Sequence, residues 1–213
     1  MTFGEGGPEV HSKVRLIIGT VTLLANPLPP TGIAELLGLH PKEVILFLML
    51  LQSLLTIDED PNQPVKLFHG SFPNFITDPS CCLDVRFFIS PGDIHLHLAR
   101  DCLMLMNNGL KQDLLSLPNH ALNSEVEDLL ERIDDHISIA LQYACKSWHN
   151  HLTNITGDVA NVILDLCLFL EEKFLAWLEV VSVLGATRGA ITALENLISW
   201  LQKVCLSLPP WYT

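Results

Sequence analysis

The stretch from Val14 to Phe68 constrains the fold most, because proline and glycine cut it into short apolar pieces in a fixed order. Val14–Ala25 is apolar on most sides and predicts a buried helix, stopped by Asn26-Pro27 and Pro29-Pro30. Thr31 can cap a short helix over Gly32–Leu37, which Gly38 ends. Leu39-His40-Pro41 reads as a tight turn, and Pro41 suits the first position of a longer helix over Lys42–Leu55. Two apolar pieces follow, Leu55–Ile57 and Pro64–Phe68, on either side of the acidic turn Asp58–Asn62. That is the pattern of a β-hairpin. Three helices and a hairpin predict a winged helix-turn-helix.

The hairpin runs directly into Lys66–Pro79, KLFHGSFPNFITDP. His69 stands where the strand gives way to a short helix, with Phe72, Phe75 and Ile76 on one side of it and Asp78-Pro79 closing it. Such a junction suits contact with a ligand or a neighbouring domain. The plainer reading is a partly buried histidine hydrogen-bonded to backbone. Beyond it, Ser80–Pro91 is an irregular connector. Helices are then predicted over Ile94–Lys111, from the capping sequence Ser124–Glu127 to Asp135, over Ile137–Leu152, over Val159–Leu184 up to Gly185, and over Arg188–Cys205 after Thr187.

The fold class expected is therefore mainly α: a winged helix-turn-helix with a small β-hairpin, followed by an all-α antiparallel helical array. The expected division is a flexible lead-in over 1–11, a winged-helix domain over 12–80 and a helical domain over 81–213. A face carrying Phe169, Phe174, Trp177 and Val180 reads either as internal core or as cover for a neighbour.

Composition excludes several classes. Apolar residues make up 49% of the 213, too many for a disordered chain, yet the longest unbroken apolar run, Val44–Leu51, is far shorter than the ~20 residues a membrane helix needs. No basic-then-apolar leader opens the sequence, so a cytoplasmic chain with no membrane partner is expected. On that basis its six cysteines, none in a C-x-x-C pair, are expected reduced and buried. The net charge of −12 repels phosphate backbones. The helix that would read DNA, KEVILFLMLLQSLL, offers Lys42 as its only base, and the wing tip is Asp58-Glu59-Asp60. Groove readers need Arg, Lys, Asn or Gln on an exposed face, so no nucleic-acid partner is expected and this helix is expected to be covered by protein.

No catalytic constellation emerges. His149 and His151, like His95 and His97, are two residues apart on helices, so their rings point about 200° apart and cannot share a metal. Glu127-Asp128, Asp134-Asp135 and Glu171-Glu172 read as solvated faces rather than acid/base pairs. GEGGP at residues 4–8 lacks the lysine and hydroxyl of a phosphate loop, and neither G-x-S-x-G nor H-E-x-x-H is present. No metal site, no catalytic residue and no cofactor held by this chain alone are expected.

Five segments in order, Arg15–Leu28, Ile33–Leu39, Lys66–Pro79, Ala140–Leu152 and Phe169–Leu184, resemble fungal NACHT-type NTPases of the STAND class. The resemblance spans Arg15 to about Lys203 and is to the winged-helix and helical region that follows the ATPase. It implies a non-catalytic regulatory module whose partners are an NTPase (NACHT) domain, in cis or in trans, and possible sensor repeats. The ATPase would lie before residue 1 and the repeats after residue 213. In that family a histidine at the winged helix's strand-to-helix junction contacts the β-phosphate of ADP and holds an inactive state. The matching triplet is Phe68-His69-Gly70, so His69 is the nucleotide-sensing candidate, supported by Phe72, Phe75 and Ile76. Gly70 departs from the acidic residue usual in plant relatives. ADP or ATP would be bound only with the upstream domain. Two other readings remain open: a winged-helix nucleic-acid binder and an inactive truncated fragment.

Overall fold

A computed structural model describes residues 7–58, 60–118 and 122–207. The chain is mainly helical, with one small antiparallel sheet of two strands. In order, the elements are α1 (Pro8–Leu23), α2 (Pro30–Leu36), α3 (Pro41–Leu50), β1 (Leu55–Thr56), β2 (Lys66–Leu67), α4 (Phe72–Thr77) and α5 (Pro91–Gly109). Then come α6 (Leu129–His136), α7 (Ile139–Leu152), α8 (Ala160–Leu168), α9 (Phe174–Val183) and α10 (Thr187–Ser207).

Helices α1 to α5 each carry proline at the first or second position. Proline lacks the N–H that a helix start would leave unpaired, and its φ is already helical. Two expectations shift for this reason. Pro30 does not only stop the preceding helix; it opens α2, ahead of Thr31. Helix α1 starts at Pro8 rather than Val14, so residues 8–11 of the expected lead-in are helical, while residues 1–6 lie outside the described residues.

Glycine ends two helices as its position suggested. Gly38 has φ +62 and Gly185 φ +64. After α2, the Gly38 N–H donates to the Glu35 carbonyl and the Leu39 N–H to that of Ala34. After α9 the same pair of bonds joins Gly185 to Ser182 and Ala186 to Val181. Both are Schellman ends, which require the left-handed conformation glycine adopts without steric cost.

Helix α3 stops at Leu50, short of the expected Leu55. Turns over residues 51–54 let Leu55 leave the helix and pair with Leu67, while Thr56 pairs with Lys66. The hairpin is tied back to the helices by the Val65 N–H, which donates to the Leu28 carbonyl at 2.9 Å.

One apolar core runs through the molecule from Val14 to Trp200. Its axis is α5 lying against α7. The pair is antiparallel, since His95 meets His151 at one end and Gly109 meets Leu141 at the other. Helices α1, α2 and α8 lie on α5, and α10 lies on α7 and α9. Between α8 and α9 the helix runs on through a π segment, Phe169–Lys173. Residues eight apart on an α-helix are about 80° out of phase; one residue absorbed by a π turn reduces that to about 20°. Phe169 and Trp177 are accordingly both buried, with Val180. The face expected as either core or cover is internal core, with Phe174 at its partly exposed margin. Lys173, in the last turn of the π segment, donates to the Leu110 carbonyl at the C-terminal end of α5.

Candidate functional site

The strand-to-helix junction is built as follows. β2 ends at Leu67, and the Phe68 N–H reaches the Leu54 carbonyl at 2.9 Å, which fixes where the chain turns off the hairpin. His69 and Ser71 then close a small ring. The Ser71 N–H donates to His69 Nδ1 at 3.2 Å, and the Ser71 hydroxyl sits 2.7 Å from the same nitrogen. An atom that accepts from a backbone N–H carries no proton, so Nδ1 is the acceptor of both and the His69 proton resides on Nε2. His69 is exposed, and its Nε2–H has no partner among the described residues. The ring is thus held at one nitrogen and presents a donor at the other. The Phe72 N–H donates to the His69 carbonyl at 3.0 Å and starts α4 there.

The three residues expected to support His69 divide. Ile76 is buried and Phe72 packs against the core, so both anchor α4. Phe75 does not join them; it is 50% exposed. On a helix of only six residues, Phe72 and Ile76 are one turn apart and face the core, which turns Phe75 toward its edge. It instead lines a cleft of about 270 Å³ with Ser53, Leu54, Phe68, His69, Ser71 and Phe72. The cleft shares Ser53, Leu54, Phe72 and Phe75 with a larger groove of about 630 Å³, which continues past Leu50 to Leu83 and Phe87. Together they form one apolar trough with His69 at its edge.

Helix α3 flanks the trough. Val44 and Leu48 are buried, but Leu46 is 63% and Met49 58% exposed. Within the chain α3 is therefore only half covered, and beyond Lys42 in its first turn the open stripe, Leu46, Met49 and Leu50, is apolar. Phe68, 77% exposed, lines the cleft, and Leu83, 82% exposed, lines the groove. Sequence reasoning found the histidine but not this trough: Leu83 and Phe87 come from the irregular connector, where no periodicity announces a shared face.

The histidines of the helical region separate as their spacing requires. His149 meets Asn196 of α10 at 3.0 Å, whereas His151 turns to α5, its Nδ1 2.9 Å from Nδ1 of His95. The Tyr143 hydroxyl lies 2.7 Å from the other nitrogen of His151 and accepts from the Ala25 N–H at 3.1 Å. Among the described residues no group of three or more His, Cys, Asp or Glu side chains could hold a metal ion. Burial lowers His95 and His149 below the ordinary histidine value and holds His151 down to about 3. Between that value and about 6.5 these histidines bind more protons in the unfolded chain than in the folded one, so their contribution to stability is full above about pH 6.5 and declines as pH falls below it. Asp101, which burial lifts to about 6, takes up a proton in the folded chain below that pH and offsets part of this loss. In Asp101→Asn the thermal midpoint is expected to drop steadily from pH 7 to pH 5; a midpoint flat over that range in this variant would show that these histidines are not held neutral.

Of the cysteines, Cys82, Cys102 and Cys145 are buried as expected, and burial raises the Cys145 thiol to about 12. Cys81 and Cys167 are exposed, contrary to expectation; the Cys205 side chain lies outside the described residues. Burial also lifts Asp101 to about 6, with Arg100 the charge nearest in effect. The paired carboxylates Glu127-Asp128, Asp134-Asp135 and Glu171-Glu172 are all exposed. Among the described residues no helix is long and apolar enough to cross a membrane.

No family model matches the chain, and neither the curated proteins nor the solved structures contain a match.

Proposed function

We propose that the chain is a non-catalytic regulatory and interaction module, in which a winged helix-turn-helix over residues 12–80 and an antiparallel helical array over 81–213 couple the nucleotide state of a NACHT-type NTPase domain to the helical arm. The observation that carries this reading is the apolar trough with His69 at its edge. Four side chains that line it, Leu50, Phe68, Phe75 and Leu83, are exposed. At about 100 Å² apiece these four offer roughly 400 Å², about half of the ~800 Å² each partner of a stable interface buries, and the exposed Leu46 and Met49 of α3 add apolar area on the helix that carries Leu50. A protein surface suits such a face; a phosphate backbone does not, because α3 presents Leu46 and Met49 where a groove reader needs donors. His69 adds a single N–H donor at the margin, which fits a contact to a phosphate oxygen held mainly by another domain.

Two measurements test the reading. The isolated chain is expected to show no ADP binding by calorimetry; micromolar binding would place the main nucleotide site in this chain and overturn the proposal. With an NTPase domain of the NACHT type joined upstream, His69→Ala is expected to speed ADP release several-fold, and Leu46→Asp with Phe75→Asp to loosen docking of the two domains. An unchanged ADP off-rate would return His69 to a backbone-bonded junction residue. Undisturbed docking would remove the trough from the interface.

A further inference from the structure

The buried contacts of His95, His151 and Tyr143 form a linear chain with a single consistent set of protons at neutral pH. The Ala25 N–H donates to the Tyr143 oxygen. The Tyr143 hydroxyl, kept protonated by burial, donates to His151 Nε2. His151 must then carry its proton on Nδ1 and donate it to His95 Nδ1. His95 keeps its own proton on Nε2. Each step leaves a donor facing an acceptor. The chain also joins distant parts of the sequence: Ala25 just beyond α1, His95 on α5, Tyr143 and His151 on α7.

We propose that this chain of bonds is an acid-sensitive clasp between the exit of α1 and the α5–α7 pair, one that takes up a first proton by reversing its direction and opens on the second. The first proton goes to His95, the one half-exposed side chain of the three that can titrate, which then holds protons on both nitrogens and donates from Nδ1 to His151 Nδ1. His151 moves its proton to Nε2 and donates it to the Tyr143 oxygen; the Tyr143 hydroxyl turns to the Ser147 side chain, one turn further along α7. Every donor again has an acceptor, and one proton has been added. A second proton on His151 places two N–H groups nose to nose across 2.9 Å with two positive charges and no acceptor.

The surroundings do not relieve that conflict. From α7, His149 bears on His151, itself bonded to Asn196 of α10. From α5, His95 bears on His151, and Cys102, buried and kept as a neutral thiol, bears on Tyr143. Arg100 of α5 is directed to Asp165 of α8. From α2, Glu35 is bonded to Ser138, at the opposite end of α7. From the exit of α1 comes only the Ala25 backbone. Among the described residues no carboxylate is directed at either ring to stabilise a doubly charged pair.

Imidazole nitrogen NMR of the full chain between pH 8 and pH 4, with amide exchange at Ala25, tests the clasp. The expected spectrum at pH 8 shows His151 as the Nδ1–H tautomer. On acidification His95 is expected to charge first, and protection of the Ala25 amide, corrected for intrinsic exchange, to fall more than tenfold below the pH at which His151 follows. In His95→Gln, whose amide can donate to His151 but cannot take a charge, that fall is expected to shift at least half a pH unit lower. A purely structural contact would instead weaken protection equally at every pH. His151 as the Nε2–H tautomer at pH 8, His151 titrating near the ordinary value of about 6.5, or an Ala25 protection profile unmoved by His95→Gln would overturn the proposal. Should His95→Gln not fold, the tautomer and titration of His151 in the unsubstituted chain decide it.

Discussion

Trp177→Ala is expected to destabilise the chain by about 3–5 kcal/mol, enough to lower the thermal midpoint on the order of 10 °C in a protein of this size. Trp177 is fully buried, and its indole N–H donates to the Cys145 carbonyl at 2.9 Å. It is the hub of an aromatic cluster. Its ring centroid lies 5.8 Å from Phe169 and 6.1 Å from Trp148 at steep angles, and 5.7 Å from Phe174. Truncation removes the contact of α9 with α7 and leaves a cavity that a rigid α5–α7 pair cannot collapse into. Trp148→Ala should cost a similar amount for the same reason. Combining the two should cost less than their sum, by about 0.5–1.5 kcal/mol, because the rings touch edge to face. Trp148→Phe is expected to cost far less than either truncation. The Trp148 indole nitrogen is buried without a partner among the described residues, and phenylalanine removes that unmet donor along with some volume. Chemical denaturation of the four variants measures all of this. A loss below about 1 kcal/mol for Trp177→Ala would mean that the cluster does not hold the arm together.

The second large effect is expected at Gly92, in the first turn of α5. A side chain there would meet Thr156: an added Cβ falls 2.7 Å from the Thr156 Cβ and closer still to its hydroxyl oxygen. Gly92→Val must push the loop between α7 and α8 away from α5, a cost of about 2–3 kcal/mol that outweighs what helix propensity returns. Thr156→Gly in the same chain removes the obstructing atoms and should recover most of the loss. Unfolding midpoints in urea for the single and double variants decide it; a Gly92→Val chain as stable as the original would show that the loop yields freely. The contact also bears on the acid-sensitive clasp, because Gly92 lies one turn before His95 and its displacement would reach that ring.

Much of the fold was legible because its punctuation acts locally. Pro41, Gly38 and Gly185 mark helix ends whatever surrounds them, since a missing N–H or a left-handed φ is a property of one residue. The hairpin was legible too, through the acidic turn between two apolar pieces, although the paired strands shrank to Leu55–Thr56 and Lys66–Leu67. Periodicity likewise located α5, α7 and α10, and it kept His149 and His151 from sharing one ligand. The places where the reading slipped are those where one residue had two local uses. Pro30 can end one helix or begin another, and only the packing of α2 on α3 and α5 chose. Leu51–Leu55 can continue a helix or feed a strand, and the partner strand at Lys66–Leu67 chose.

At the candidate site the division is sharper. The sequence by itself determined that a histidine stands at the strand-to-helix junction, with apolar residues at the spacing of one helical turn behind it. It also determined that no cluster of ligands or acid/base partners accompanies it in sequence. Only the tertiary structure decided which of Phe72, Phe75 and Ile76 turns inward, that His69 presents Nε2–H, and that Leu50, Phe75, Leu83 and Phe87 share one trough. It alone paired His95 with His151 across 56 residues of sequence. The physical reason is the range of the forces. Backbone punctuation and periodicity act over one or two turns and can be read along the chain. A shared surface or a buried hydrogen bond depends on which helices the whole apolar core brings together, and that is a property of the packed molecule rather than of any segment.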